Sequence, residues 1–239
     1  MAKMTLDDLV SQLTAAFGAG LRAVVLYGSA AAGEHHPKKS DYNVLVLVDS
    51  LDVNRLEAAS AAVRAWTDAG NTAPLTLTLD EWRGSGDVFP MEYADILERH
   101  KVLFGDLPTD VRVNPADLRL QLEHEAMGTL LQLRRGVLAT GNDAREQLGL
   151  LEHSLTTVMV IFRAVLRLRG ETPPHDNVEL TRKVATAAGL DAAAVTKVIK
   201  HKRGEERIQS GDAPRVLAGY LSAMQQLVHY LDQYTGGRA

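Results

Sequence analysis

A run of apolar residues ending in Leu26-Tyr27 is broken by Gly28-Ser29, and the next β-prone run opens on Ser40-Asp41-Tyr42-Asn43-Val44. A glycine directly after a strand lets the backbone approach a phosphate closely, and the serine beside it adds a hydroxyl donor. Asp41 and Asn43 are two apart, so on a strand they point to one face. There they turn a carboxylate and a neutral amide carbonyl toward the same cation. Lys38 and Lys39 lie in the loop before them, where an ammonium can meet a phosphate; loop lysines are also commonly just solvated charges.

The elements that must position these residues follow from capping and periodicity. Thr5 caps a first helix carrying Leu6, Leu9, Val10, Leu13 and Phe17, with Asp8 three residues on. Leu21 to Tyr27 reads as a buried strand and Tyr42 to Val48 as a second. Asp52 caps a helix with Leu56, Ala59, Val63 and Trp66 that stops at Gly70, and Pro74 to Leu77 gives a third strand. Thr78 and Glu81 form a capping box. The segment from Phe89 to Ile96 fits a strand or a short helix, and Lys101 to Phe104 is a further strand. Gly105 to Asp110 reads as a linker. Beyond it only helical signals remain. Pro115 opens a long helix to about Leu138, and Asn142 opens another to about Leu168. Two shorter helices follow, capped by Asp176 or Asn177 and by Asp191, and a charged loop runs from Lys200 to Gly211. Asp212 precedes a last helix with Leu217, Tyr220, Leu221, Met224, Leu227, Val228 and Leu231 as its apolar stripe.

The segment Leu26-Tyr27-Gly28-Ser29, then Gly33, then Ser40-Asp41-Tyr42-Asn43-Val44, resembles the signature of the DNA polymerase β superfamily of nucleotidyltransferases. There a strand ends in Gly-Ser and the next strand carries Asp-x-Asp. The resemblance covers the order of elements from about Leu21 to Gly105. It implies an α/β nucleotidyltransferase domain, a mixed sheet with flanking helices, over residues 1–110. A helical bundle over residues 111–239 would follow it. It further implies Gly28, Ser29 and Lys39 at the nucleotide, Asp41 and Asn43 at the metal and catalytic positions, and Mg²⁺ and a nucleoside triphosphate as ligands. By similarity to kanamycin nucleotidyltransferase-like enzymes, a glutamate from the C-terminal part acts as general base, and Glu123 and Glu125 are the candidates.

The chain departs from the family at the carboxylates. Asn43 stands where the second acid belongs, and the place of the third falls on Leu75 or Thr76; Asp80 is the nearest acid but lies in the capping turn. Mg²⁺ favours charged carboxylates in near-ideal octahedral geometry, so two ions on one carboxylate would be under-neutralised. The expectation is a weak or inactive nucleotidyltransferase that keeps a nucleotide-binding or regulatory role. The first alternative is an active transferase of a nucleoside monophosphate to a hydroxyl of a small molecule or protein. The second is a HEPN-like RNA-cleaving or toxin–antitoxin-type module, since Arg169 and His175 have roughly the spacing of the HEPN pair, with Gly170, Pro173 and Pro174 between them.

Glu92 and Asp95 would supply a missing acid if their segment borders the cleft. Arg134 and Arg135 suit a phosphate or simply a helix C-terminus. His35-His36 are adjacent and chelate poorly, so no histidine metal site is assigned. A net charge of −4 and a pI near 6.1 argue against a dedicated nucleic-acid or membrane-surface protein, and the acidic excess lies in the first half. The absence of cysteine excludes disulfides and thiolate chemistry. The N-terminus turns acidic where a signal peptide needs an apolar run, and Val158 to Phe162, ended by Arg163, is too short to span a bilayer. A cytoplasmic protein, off the membrane and dimerising through the bundle, is the expectation.

Overall fold

Thr5 starts the first helix as its sequence requires. Its hydroxyl accepts the Asp8 N–H at 3.1 Å, and the Asp8 carboxylate accepts the Thr5 N–H at 2.9 Å. This satisfies two donors that a helix start otherwise leaves open. The structure is a computed structural model and describes residues 4–28, 30–31 and 42–236. It divides into two units, 1–114 and 115–239.

In the first unit, helix α1 (Leu6–Phe17) leads to strand β1 (Leu21–Tyr27), and β2 (Asn43–Val48) to α2 (Val53–Asp68). Then come β3 (Leu75–Thr78), α3 (Leu79–Gly84), α4 (Pro90–Glu98) and β4 (His100–Gly105). The sheet order is β3-β2-β1-β4, with β1 antiparallel to both β2 and β4 and β3 parallel to β2. The sheet is therefore mixed. β1 and β2 read as unbroken apolar runs because both of their faces are covered.

On one face, Leu9, Leu13 and Phe17 of α1 and Ala59 and Trp66 of α2 pack on Val24, Leu26, Val44, Val46 and Val48. On the other, Trp82 of α3 and Tyr93 and Ile96 of α4 pack on Ala23, Val25, Leu45 and Leu47. Trp82 and Tyr93 stack with centroids 4.3 Å apart, and the Trp82 indole N–H donates to the Pro108 carbonyl at 2.9 Å. Each tryptophan is fully buried, so truncating either to alanine costs about 3–5 kcal/mol.

The segment read as a linker is part of this core. Leu107 is buried in it, and Val111 and Val113 pack against it. Gly105 has φ +67°, and a Cβ there would collide with the Arg22 carbonyl, so only glycine fits. The ambiguous segment is a helix: Pro90 takes the first helical position, and Tyr93 and Ile96 turn to the sheet.

The second unit is wholly helical among its described residues apart from its connections: α5 (Pro115–Thr140), α6 (Ala144–Leu168), α7 (Asn177–Ala188), α8 (Ala193–Arg203) and α9 (Ala213–Gln233). α6 is its core helix, with Leu151, Leu155, Val158 and Phe162 buried, and it packs against the other four. By length and composition the whole of α6 is apolar enough to cross a membrane, and it alone among the described helices meets that test. Half of the qualifying window is buried inside the unit. Arg163, on α6, is buried and donates to the Asn177 side chain at 3.1 Å.

Several boundaries differ from the sequence expectation, those of α6 and α8 among them. Asp143 rather than Asn142 caps α6, accepting the Arg145 and Glu146 N–H groups. The charges from Lys200 to Arg203 are the last turn of α8 rather than loop. Val195, Val198 and Ile199 anchor that helix, and four basic side chains suit its C-terminal dipole.

Candidate functional site

β1 and β2 place Tyr27 directly across from Asn43, and β1 and β4 place Tyr27 across from His100. Gly28 then leaves the sheet at φ +75°, its N–H donating to the Arg99 carbonyl at 3.2 Å. A Cβ on Gly28 would lie 3.3 Å from Asn43 Nδ2 and 3.9 Å from Asp95 Oδ2. The corner at the end of β1 thus gathers Gly28 and Asn43, two of the sequence-expected residues, and adds Asp95 of α4. Segment 89–98 borders this corner through Asp95.

Asp95 lies one helical turn before Arg99, whose guanidinium is 3.1 Å from its Oδ1; the two side chains are only 17% and 7% exposed. Arg99 Nε is buried with no hydrogen-bond partner among the described residues. Burial pushes the Tyr27 phenol above its ordinary range, and the charges of Glu92 and Asp95 push it further the same way. The phenol therefore stays protonated at neutral pH and can donate.

The strand register decides where the third acid of the family pattern would stand. In the parallel pair, Leu45 is opposite Leu75 and Val46 opposite Thr76. Alternation puts Asn43, Leu45, Leu75 and Leu77 on the face toward α3 and α4, and Thr76 on the opposite face with Val46. Of the two positions named from sequence, Leu75 is the one on the Asn43 face, and it carries no charge. Among the described residues, no group of three or more histidines, aspartates and glutamates is placed to hold a metal ion. The donor set among the described residues does not fit a pair of Mg²⁺ ions: an amide, a leucine and a carboxylate already joined to a guanidinium stand there, and Asp41 lies outside those residues.

Ser29, Lys39 and Asp41 lie outside the described residues, as do Lys38, His35 and His36. Glu123 and Glu125 stand on α5 in the other unit. Glu123 is ion-paired with Arg119, and the Glu125 carboxylate is 3.6 Å from the His124 ring. Glu123, Arg134, His229 and Asp232 line a groove of about 550 Å³ between α5 and α9, over Leu130 and Val228. Arg169 is held by Glu171 at 2.8 Å and by the Tyr230 hydroxyl at 2.9 Å, while His175 is exposed in the connection to α7.

Sequence reasoning missed Arg99 and Tyr27. The i,i+4 spacing of Asp95 and Arg99 signals the pair once the segment is known to be helical. The place of Tyr27 at this corner follows only from the cross-strand pairing.

No family model matches this chain, and no curated protein matches it. Among solved structures it is similar to spectinomycin adenyltransferase AAD(9) from Enterococcus faecialis, determined with ATP and spectinomycin. The TM-score is 0.58 and the sequences are 11% identical, over 95% of this chain and 98% of that chain. The likeness is one of fold: a nucleotidyltransferase-like α/β unit with a mixed four-stranded sheet, followed by a helical region.

Proposed function

We propose that this chain binds a nucleoside triphosphate at the Gly28 corner and is weak or inactive as a nucleotidyltransferase, serving a nucleotide-binding or regulatory role. The observation that carries this reading is the register of β3, which brings Leu75, not an acid, to the face shared with Asn43. Nucleotidyl transfer builds charge on phosphate oxygens, and cations held by clustered carboxylates normally stabilise it. With Asn43 and Leu75 neutral and Asp95 joined to Arg99, Asp41 would be the one family carboxylate left. Within this reading Gly28 and Ser29 approach the phosphates, Lys39 offers a cation, and any divalent ion is weakly held by Asp41 and Asn43.

Calorimetry with each nucleoside triphosphate tests it together with a search for pyrophosphate release. Binding without turnover is the expected result. Rapid pyrophosphate release that stops in Asp41→Ala would show a working transferase instead.

One observation favours that second reading. Asp95 Oδ2 reaches the Gly28 corner, so α4 brings an acid where the strands do not. If it serves a metal, the chain transfers a nucleoside monophosphate to a small-molecule or protein hydroxyl, with Glu123 or Glu125 as base. The similar fold of a protein solved with ATP and spectinomycin supports a small-molecule acceptor in that case. A homodimer through the helical unit belongs to either reading. Leu120, Met127, Leu131 and Leu138 support it, since they are exposed on α5 at spacings of seven, four and seven residues.

A further inference from the structure

The Gly28 corner offers the wrong groups for a divalent cation and suitable ones for an anion. Asn43 turns its amide nitrogen, a donor, toward the point where a Gly28 side chain would begin, at 3.3 Å. Asp95 brings a carboxylate oxygen to 3.9 Å of that point, but its other oxygen lies 3.1 Å from the Arg99 guanidinium. Both side chains of the pair are largely buried, so they interact in a medium less polarisable than water and the carboxylate charge is compensated locally. Leu75, opposite Leu45 and so two residues along this face from Asn43, adds no acid. Glu92 acts on the Tyr27 phenol from the same helix, and its effect is to keep that phenol a neutral donor.

A divalent ion seated here would meet a neutral amide and a carboxylate already paired with a guanidinium, with no acid from β3 on that face. A phosphate oxygen would meet the Asn43 donor and no open charge from the Asp95–Arg99 pair. Arg99 also fixes the turn itself, since its carbonyl accepts the Gly28 N–H while its guanidinium holds Asp95 against the same residue.

We propose that the Gly28 corner receives the phosphate end of a nucleotide directly, without a divalent cation. Asn43 is the donor, and Asp95 and Arg99 are positioning residues that hold the turn and compensate each other's charge. This rests on the nucleotide-binding reading above and adds the manner of binding.

Titration of the full chain with ATP, once in excess Mg²⁺ and once in EDTA, tests it. Wild type binds ATP with dissociation constants within about threefold of each other in the two media, less than 1 kcal/mol apart. Asn43→Asp returns a carboxylate to the corner, so binding in EDTA falls at least about tenfold and Mg²⁺ restores it. Arg99→Met exposes the Asp95 charge and imposes the same dependence on Mg²⁺. Asn43→Asp gives that readout without disturbing the buried pair, should Arg99→Met fail to fold. A merely structural role for Arg99 would weaken binding equally in both media and overturn its assignment. Wild-type binding that drops tenfold or more in EDTA overturns the cation-free inference and leaves the nucleotide reading standing. No binding in either medium, at millimolar ATP, overturns the nucleotide reading and this inference with it.

Discussion

The two faces of the sheet are built from the same strands and do different work. Toward α1 and α2, β1 and β2 present Val24, Leu26, Val44, Val46 and Val48, an uninterrupted apolar surface. Toward α3 and α4 they present Ala23, Val25, Leu45 and Leu47, and then Tyr27 and Asn43 at the end where Gly28 turns away. One face only holds the unit together. The other does so along most of its length and becomes polar over its last residue pair, where α4 adds Asp95. A strand alternation of two lets one chain segment serve both ends, because each face is specified independently. The polar end is affordable because it is small and because its charges are paired with each other.

Disrupting each face separately sharpens this comparison. Trp66→Ala on the first face and Trp82→Ala on the second should each destabilise the first unit by about 3–5 kcal/mol in urea unfolding. Only Trp82→Ala should also loosen α4, through its stack on Tyr93, and weaken nucleotide binding in the surviving folded fraction. Equal effects on binding would erase the distinction between the faces.

Two of the constrained glycines of the first unit, Gly28 and Gly105, separate fold from site more finely. Gly105→Ala drives a Cβ into the Arg22 carbonyl and should destabilise the unit by more than about 2 kcal/mol, from backbone displacement as well as strain. Gly28→Ala is tight against the Asn43 amide at 3.3 Å and in ordinary contact with Asp95 Oδ2 at 3.9 Å, so about 1 kcal/mol is expected from the left-handed backbone. Its effect on binding should exceed its effect on the midpoint of unfolding. A Gly28→Ala protein that binds nucleotide like wild type would show that the corner is not the site.

The helical unit provides a control for charge effects outside the site. Burial alone would raise the Asp176 carboxyl, but the Glu179 N–H, Arg203 and the Val178 N–H outweigh it and hold it below the ordinary range. A carboxyl depressed in the folded state stabilises above its unfolded value and loses that contribution as pH falls through the folded one. Asp176→Asn keeps the cap acceptor and loses the charge to Arg203. It should therefore cost well under 1 kcal/mol at pH 7, and the deficit should shrink below about pH 4. Nucleotide affinity should not change.

Much of the fold was legible because it is local. The two threonine capping boxes, at Thr5 and Thr78, are realised as their spacing requires, and so is the apolar stripe of α9. What escaped depends on distant packing. In residues 89–96, Phe89, Met91 and Tyr93 alternate as in a strand while Phe89, Tyr93 and Ile96 are spaced as on a helix, and Phe89 offers no side-chain cap; burial of Tyr93 and Ile96 under the sheet decides it. Leu75 and Thr76 cannot be distinguished without the β2–β3 register, which no local signal encodes. The basic turn at the end of α8 looked like loop because its charge density hid the buried Val195, Val198 and Ile199. At the corner after β1, the closeness of Gly28 and Asn43 agrees with the motif spacing, whereas the pairing of Asp95 with Arg99 required knowing that α4 exists.

With Asn43 and Leu75 neutral, the described residues of this sheet face lack the carboxylates a divalent ion needs. Mn²⁺ binding followed by electron paramagnetic resonance, for wild type and for the double variant Asn43→Asp/Leu75→Asp, tests it most directly. Wild type should bind Mn²⁺ no more tightly than about 10⁻³ M, and the double variant at least about tenfold more tightly. Tight Mn²⁺ binding by the wild-type protein, or no gain in the double variant, would contradict the register and the deficiency drawn from it.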